Sequence, residues 1–424
     1  MTKQQMYIPV SNDLGNGHTK ITVGGTTITE PSIIAKQRKQ DLVPPVRFSS
    51  EHEQHEYMRN LLSHMDVSIQ SPTVATSERV LVGVSAFRLP QSVEGFDVND
   101  FEGKSEMDLP LIITLATIAG YAVVQDFKRT QEIPTHVDVI SDMTVALPIN
   151  EGKRNGAVDR YSRRYKDNTH HVTFHNFDEL ITVTIRFRHV EVALEGEAAQ
   201  LKLKHAPKDL ADAVKADFDK FYPDLAQDPN FTAQDLVTFP NVMGIDIGEG
   251  TTDLPVFVNG QINEQASTSL PEGYGNALEE ALTDLRNNNM NFNSRNELQE
   301  YVMTPPTKLD ASRKQIAQKA VMEQLDLFAK HIVDGVSTNL RKNATNISAI
   351  FVYGGGATPM RYYLREPLMK KTQSFTQGIG IPVIFVPEAY AQILNERGLG
   401  LILDLVLTNL PQIDTVIEGG VVHV

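Results

Sequence analysis

Hydrophobic and polar positions along this chain fall into one arrangement that occurs twice. Near the amino terminus a strand-like run, Tyr7 to Val10, leads into Asp13-Leu-Gly-Asn-Gly-His-Thr-Lys20. Ile21 to Val23 continues as a second strand, and Gly24-Gly25 turns the chain into a third, Thr26 to Thr29. The order returns at Asn241. An unbroken apolar run, Val242 to Ile247, enters Asp246-Ile-Gly-Glu-Gly-Thr-Thr-Asp253, and Leu254 to Val258 follows. Asn259-Gly260 then gives the two-residue signal of a tight hairpin. Short apolar runs bounded by Gly, Asn and Asp read as strands. Each half of the chain therefore opens on an antiparallel hairpin with a glycine-rich turn. Pro9 interrupts the first strand, where a ladder bond needs its missing N–H, and predicts a local bulge.

The segments between these hairpins alternate helix with strand. Met107 to Phe127 reads as a buried helix. Its apolar stretch, Leu109 to Val124, contains Pro110 and Gly120 and spans sixteen residues, short for a membrane crossing. Val137–Ile140 and Met143–Leu147 read as strand pieces, and Glu151 to Lys166 as a charged helix. Ile181–Phe187 and Val190–Leu194 read as further strands, running into Glu195-Gly-Glu-Ala-Ala, a helix start with acids in its first turn. In the second half, Tyr274–Leu285 and Asp310–Lys342 carry helical stripes. Ala349–Tyr353 is a buried strand ending in Gly354-Gly-Gly-Ala-Thr-Pro359. A helix over Arg361–Thr372 and a strand over Ile381–Val386 follow. Pro387 to Gly398 reads as a helix with a glycine end, and Gly400 to Thr408 as a separate helical segment. Hairpin first, then alternating helix and strand, twice over, is an α/β design of two similar domains, with the cleft between them the natural ligand position.

Composition narrows the function classes. At 424 residues the chain holds two or more cores. A net charge of −14 argues against a broad nucleic-acid surface. With no cysteine there is neither a disulfide framework nor a thiolate site. The first residues lack the apolar core of a signal peptide, and neither end carries an evident amphipathic anchor. His52, His55 and His64 are irregularly spaced among charges, as on a solvated helix or loop.

The two glycine turns carry the candidate chemistry. Glycine lets the backbone approach a ligand closely, and successive N–H groups in such a turn form a nest for an anion. Asp13 and Asp246 stand at strand ends, placed to hold a hydrated divalent ion beside that anion. Thr251 and Thr252 add hydroxyl donors.

These residues resemble the actin superfamily. Asp13 to Lys20 is similar to its first phosphate loop, Asp246 to Asp253 to its second, and Val352-Tyr-Gly-Gly-Gly-Ala357 to its adenosine motif. Val192 to Ala199 is similar to the first connecting segment, and Pro387 to Gly400 to the second. The resemblance spans residues 6–408 and implies an actin-like, duplicated ribonuclease H-like α/β fold. Val145-Ala-Leu-Pro148, Glu195 and Pro387-Glu-Ala-Tyr-Ala look most like plasmid-segregating actin-like proteins of the ParM type. The expected layout is domain I over 1–240, with an inserted surface segment near 206–238, and domain II over 241–387. A helix over 388–408 returns to domain I, and 409–424 is a tail without an obvious counterpart.

The resemblance implies Mg2+ and ATP, with ADP left after slow hydrolysis. Gly15, Asn16, Gly17, His18 and Lys20 would hold phosphate from one loop, and Gly248, Gly250, Thr251 and Thr252 from the other. Asp13 and Asp246 would hold the metal, mainly through water. Glu195 would orient the attacking water, with Glu197 its neighbouring alternative, and Asp246 would share the catalytic work. Gly354, Gly355 and Gly356 would carry the adenosine. The implied partners are further copies of the chain in a polar filament and a ParR-like adaptor on a centromere-like DNA site, in the cytoplasm. A small-molecule kinase of the same fold, or a filament with phage or chromosomal cargo, are the alternatives.

Overall fold

The computed structural model describes residues 5–75, 78–96, 103–228, 230–343, 347–375, 380–411 and 416–418. Internal contacts divide the chain into two units. One comprises residues 1–147, 151–194 and 396–424, the other 148–150 and 195–395.

The first unit is built on an 11-stranded sheet. Five of its strands lie side by side in the order Thr26–Pro31, His18–Val23, Gln5–Leu14, His136–Leu147, Ile181–Leu194. Gln5–Leu14 runs antiparallel to His18–Val23 and parallel to His136–Leu147. The two strand pieces expected over 137–147 are one continuous strand. Ile181–Leu194 is likewise one strand, with a register shift between Phe187 and His189. There Arg188 reaches back to the buried Asp142, which also accepts the Tyr7 hydroxyl at 2.8 Å. Helix Leu109–Thr130 packs on this sheet with Leu111, Ile113, Leu115 and Ile118 fully buried or nearly so. It is the one described helix long and apolar enough to cross a membrane, and 83% of its apolar window is buried inside the protein.

The bulge expected at Pro9 is absent. The ladder to His136–Leu147 runs through Pro9 without a shift, pairing it with Asp142. Its carbonyl accepts from Gly24 at 3.0 Å, so its missing donor faces that same edge. On that edge the His18–Val23 strand reaches only to Val10, and strand Val416–Glu418 covers only Gln5 to Tyr7. Pro9 falls in the gap between them, where no donor is required. The carboxy-terminal tail thus contributes a short strand.

The second unit repeats the plan with a 7-stranded sheet. Val242–Ile247 runs antiparallel to a strand broken at Pro255 into Thr252–Leu254 and Val256–Val258. On its other side lie Ala349–Tyr353 and then Val383–Phe385, both parallel. Asn259 and Gly260 have φ of 53° and 76°, the left-handed pair that a type I′ hairpin turn requires. Helices Tyr274–Asn287, Ala311–Asn343 and Ala357–Gln373 cover one face of the sheet, burying Ile350 and Val352.

The other face corrects an expectation. Residues 206–238 are not a surface insertion on the first domain. Helices Glu197–Lys204, Lys208–Phe221 and Ala233–Val237 form the second covering layer of this sheet. Leu210, Val214, Phe218 and Leu236 pack with Phe351, Tyr353 and Ile384. Each such burial stabilises by about 1.5–3 kcal/mol, so the segment is integral to the second core. Arg365 bolts it down. Its guanidinium lies 3.7 Å from the Phe221 ring centre and 4.4 Å from that of Phe385, and it binds Asp217 at 2.7 Å. The division between units accordingly falls at Glu195, not at 240/241. Near the end, Glu388–Ala391 is a single turn, and Leu394–Asn409 is one helix running through Gly398 and Gly400. Leu399 is fully buried and its carbonyl accepts from Thr144 at 2.9 Å. Packing overrides the two glycines. The charged helix expected over 151–166 is split: a single turn, Ile149–Gly152, precedes Ala157–Lys166, which starts after Gly156 at φ 72°.

Candidate functional site

In the first loop, every described backbone carbonyl contact points into the protein. The Leu14 carbonyl accepts from the Lys104 ammonium at 2.8 Å. The Gly15 carbonyl accepts from the Ser32 hydroxyl at 2.6 Å, and that of Gly17 from the Ser32 amide at 3.0 Å. Ser32 also meets the Thr19 hydroxyl at 3.0 Å. The turn is also closed from within, the Gly15 amide donating to the Asp13 carbonyl at 3.2 Å. A Cβ on Gly15 would stand 2.7 Å from the His18 carbonyl oxygen, so the turn closes only with glycine there.

Asp13 ends the first strand and is paired across the hairpin with Lys20. Burial pushes its carboxyl pKa up; Lys20 and then Lys104 pull it down, and Glu396 pushes it up again. Desolvation disfavours the anion and the two ammonium groups restore it in part. A carboxylate in this position gains from an added cation. Asn16 and Gly17 lie in the same turn, while His18 is exposed at its far end.

The second loop is held differently. The amides of Tyr274 and Gly275, at the start of helix Tyr274–Asn287, donate to the carbonyls of Gly248 and Glu249, each at 2.9 Å. The Asn276 amide group takes the Gly250 carbonyl at 2.9 Å. A helix amino terminus has donors without intrahelical partners, and here the loop uses them. The approach is close: a Cβ on Gly273 would lie 2.3 Å from the Glu249 carbonyl oxygen. Thr252 is buried with its hydroxyl on the Glu272 carbonyl, while Thr251 donates to Asp253 at 3.2 Å.

Asp246, 6% exposed, lies opposite Asp253 in the hairpin. Asp253 accepts from the Ser269 hydroxyl and the Ile149 amide. The Asn395 amide donates to Asp246 Oδ2 at 2.6 Å, and its oxygen accepts from the Gly196 amide at 3.4 Å. Gly196 follows Glu195 directly. Its carbonyl accepts from the Tyr353 hydroxyl at 3.4 Å, and Tyr353 is paired with Asp246 across the sheet. Burial, then Asp246 and Asp253, push the Tyr353 hydroxyl far above its ordinary pKa and keep it a donor. Glu195 and Glu197 are both half-buried beside this cluster.

The three glycines after Tyr353 divide in role. Gly354, at φ 93°, packs so tightly that a Cβ would lie 2.5 Å from Asp246 Oδ1. A Cβ on Gly356 would strike Ile247 and Tyr274 at 2.5 and 2.8 Å. Gly355 alone has nothing within 4 Å of that position. A side chain at Gly354 or Gly356 would collide with the second loop, so packing alone requires glycine at both, while at Gly355 the Cβ direction is open.

Within each unit taken by itself, a carboxylate stands close to the end of the strand before the loop, Asp13 in the first and Asp246 in the second; a hydrated Mg2+ takes one or two carboxylates and completes its shell with water and phosphate. Among the described residues no group of three or more His, Cys, Asp or Glu side chains is placed to hold a metal. Sequence reasoning missed Ser32, Lys104, Asp253 and Asn395. Only Asp253 had a local signal, since strand alternation within the hairpin sets it opposite Asp246.

Paired sheets of this topology, each opening on a glycine-turned hairpin, define the actin-like fold, and this chain has it. Residues 244–366 match the family model of the archaeal actin homologue MreB-like, C-terminal domain. The structure of actin-like protein Alp7A is similar at a TM-score of 0.64 and 17% identity, covering 95% of this chain and 97% of that one. A non-polymerisable quadruple mutant of pCBH ParM is similar at 0.60 and 15%, covering 95% and 99%. Bacillus thuringiensis ParM with ATP is similar at 0.56 and 16%, covering 95% and 100%. No curated protein matches the chain by sequence.

Proposed function

We propose that the chain is an ATP-dependent, filament-forming actin homologue of the ParM type, acting in the cytoplasm to segregate plasmid DNA through a DNA-bound adaptor. One observation carries the nucleotide reading: two separate glycine loops have their carbonyls engaged by the protein, and each presents one strand-end aspartate. The likeness to ParM solved with ATP supports it.

In this reading, Gly15, Asn16, Gly17 and His18 bind phosphate through the first loop, and Lys20 adds a point positive charge. Gly248, Gly250 and Thr251 do so through the second, while Thr252, buried with its hydroxyl on the Glu272 carbonyl, holds the loop in place. Asp13 and Asp246 hold Mg2+ through its waters; bound, the ion supplies charge neutralisation on the phosphate oxygens. Glu195 orients the water that attacks the terminal phosphate. Phosphoryl transfer needs positioning and charge compensation more than covalent chemistry, and that is what these residues offer. Gly355 lies against the nucleoside. Assembly follows from a head-to-tail contact whose rotation does not close, which generates an open polar filament. ATP and ADP bias that contact by favouring different conformations.

Light scattering and pelleting with ATP, ADP and no nucleotide test assembly; a chain that stays monomeric with ATP at tens of micromolar refutes it. Glu195→Ala is expected to keep ATP binding while turnover falls about 100-fold or more. Unchanged turnover removes Glu195 from the site. Phosphate transfer to an added small acceptor would instead mark a kinase.

A further inference from the structure

Asn395 has no place in the reading so far, yet it touches two of that reading's parts. It stands in the first turn of helix Leu394–Asn409 and is the last residue of the second unit. An Asn side chain has one acceptor end and one donor end, and both are used here. The donor end holds Asp246 Oδ2 at 2.6 Å, and the acceptor end takes the Gly196 amide at 3.4 Å. Gly196 is itself constrained. It has φ 84°, a Cβ there would meet Pro255 at 2.6 Å, and its carbonyl accepts from Tyr353. Asp246, Asn395, Gly196 and Tyr353 therefore close a ring in which the carboxylate and the Glu195–Gly196 peptide are held at one spacing.

We infer that Asn395 is a positioning residue: it orients the Asp246 carboxylate toward a hydrated Mg2+ and sets the distance from that carboxylate to the backbone carrying Glu195. The inference rests on the nucleotide reading above and adds a residue from the far end of the chain. Aspartate oxygens that serve a metal are themselves oriented by hydrogen bonds, and losing such a partner lowers metal affinity or activity about 10- to 100-fold. The described hydrogen bonds of its side chain go to Asp246 and Gly196, so its loss is expected to fall on the metal-dependent part of binding.

The experiment measures ATP affinity by calorimetry on the full chain, once with Mg2+ and once with excess EDTA. The ratio of the two dissociation constants isolates what the metal contributes. In Asn395→Ala the ratio is expected to fall about 10-fold or more, with the EDTA affinity within about twofold of wild type. Asn395→Leu keeps the size, removes the donor without adding a charge and gives the same fall; it decides the matter if the alanine variant does not fold. An unchanged ratio in a folded variant, or equal losses with and without metal, overturns the assignment of Asn395 alone. A wild-type chain that binds ATP no better with Mg2+ overturns the nucleotide reading and this inference with it.

Discussion

The two glycine loops are close in sequence and unlike in support. Both follow a strand, both carry Asp-x-Gly-x-Gly, and both turn their carbonyls inward. The first loop is held mainly by side chains, the Ser32 hydroxyl on Gly15 and the Lys104 ammonium on Leu14, with the Ser32 amide added on Gly17. The second is held chiefly by backbone, the amino terminus of helix Tyr274–Asn287 meeting Gly248 and Glu249. The difference teaches where each loop is vulnerable. Single side-chain deletions reach the first. The second yields mainly to a change that moves the helix.

The largest expected effect follows from that. Gly273→Ala places a methyl 2.3 Å from the Glu249 carbonyl oxygen and 2.5 Å from backbone carbons of Glu249 and Gly250. Backbone cannot swing aside as a flexible side chain would, so helix and loop must part. A cost of about 3 kcal/mol, the upper range for overpacking, should appear as a lower urea midpoint. A cost under about 1 kcal/mol would show that the helix is not rigidly seated, and the contrast between loops would fail.

A smaller effect separates the loops directly. Ser32 is fully buried, and Ser32→Ala leaves the Gly15 carbonyl and the Thr19 hydroxyl short of a partner. Stranding buried polar groups costs about 1–3 kcal/mol. Asn276→Ala removes the side-chain donor to the Gly250 carbonyl but leaves the helix amides of Tyr274 and Gly275 in place. It should cost less than Ser32→Ala and disturb ATP affinity less. Equal costs in denaturant melts would mean both loops depend on side chains alike.

How much of this was legible in the sequence follows from the same contrast. The strands, turns and glycines of each loop are local features, set by residues within a few positions of one another, and they read correctly. So does the Asn259-Gly260 turn, whose two left-handed residues announce themselves. The supports do not. Ser32 lies 17 positions from Gly15, Lys104 lies 90 from Leu14, and Asn395 lies 149 from Asp246. A lone Ser, Lys or Asn carries no local sign of a distant carbonyl or carboxylate. Residues 206–238 misled for a related reason. An amphipathic helix shows that it covers something, but its partner, here the face bearing Phe351 and Ile384, is named only by the sheet order. Pro9 misled because the edge it faces is covered by two strands that stop short of it.

The smallest effect on folding is expected at Gly355, and it sharpens what the second loop's neighbours do. Gly354→Ala would force a left-handed residue and a methyl against Asp246, so it confounds folding with binding. Gly355 has an ordinary backbone and open space at the Cβ position. Gly355→Ala should therefore melt within about 0.5 kcal/mol of wild type, as surface substitutions do. If the nucleoside lies against this residue, the added methyl takes its place, and ATP affinity should fall about tenfold, equivalent to about 1.4 kcal/mol. Calorimetry with ATP and with inorganic triphosphate makes the result specific. The methyl should weaken ATP and leave triphosphate, which lacks the nucleoside, bound as before. If both bind as in wild type, the nucleoside lies elsewhere, and Gly354 and Gly356 serve only to let the second loop pack.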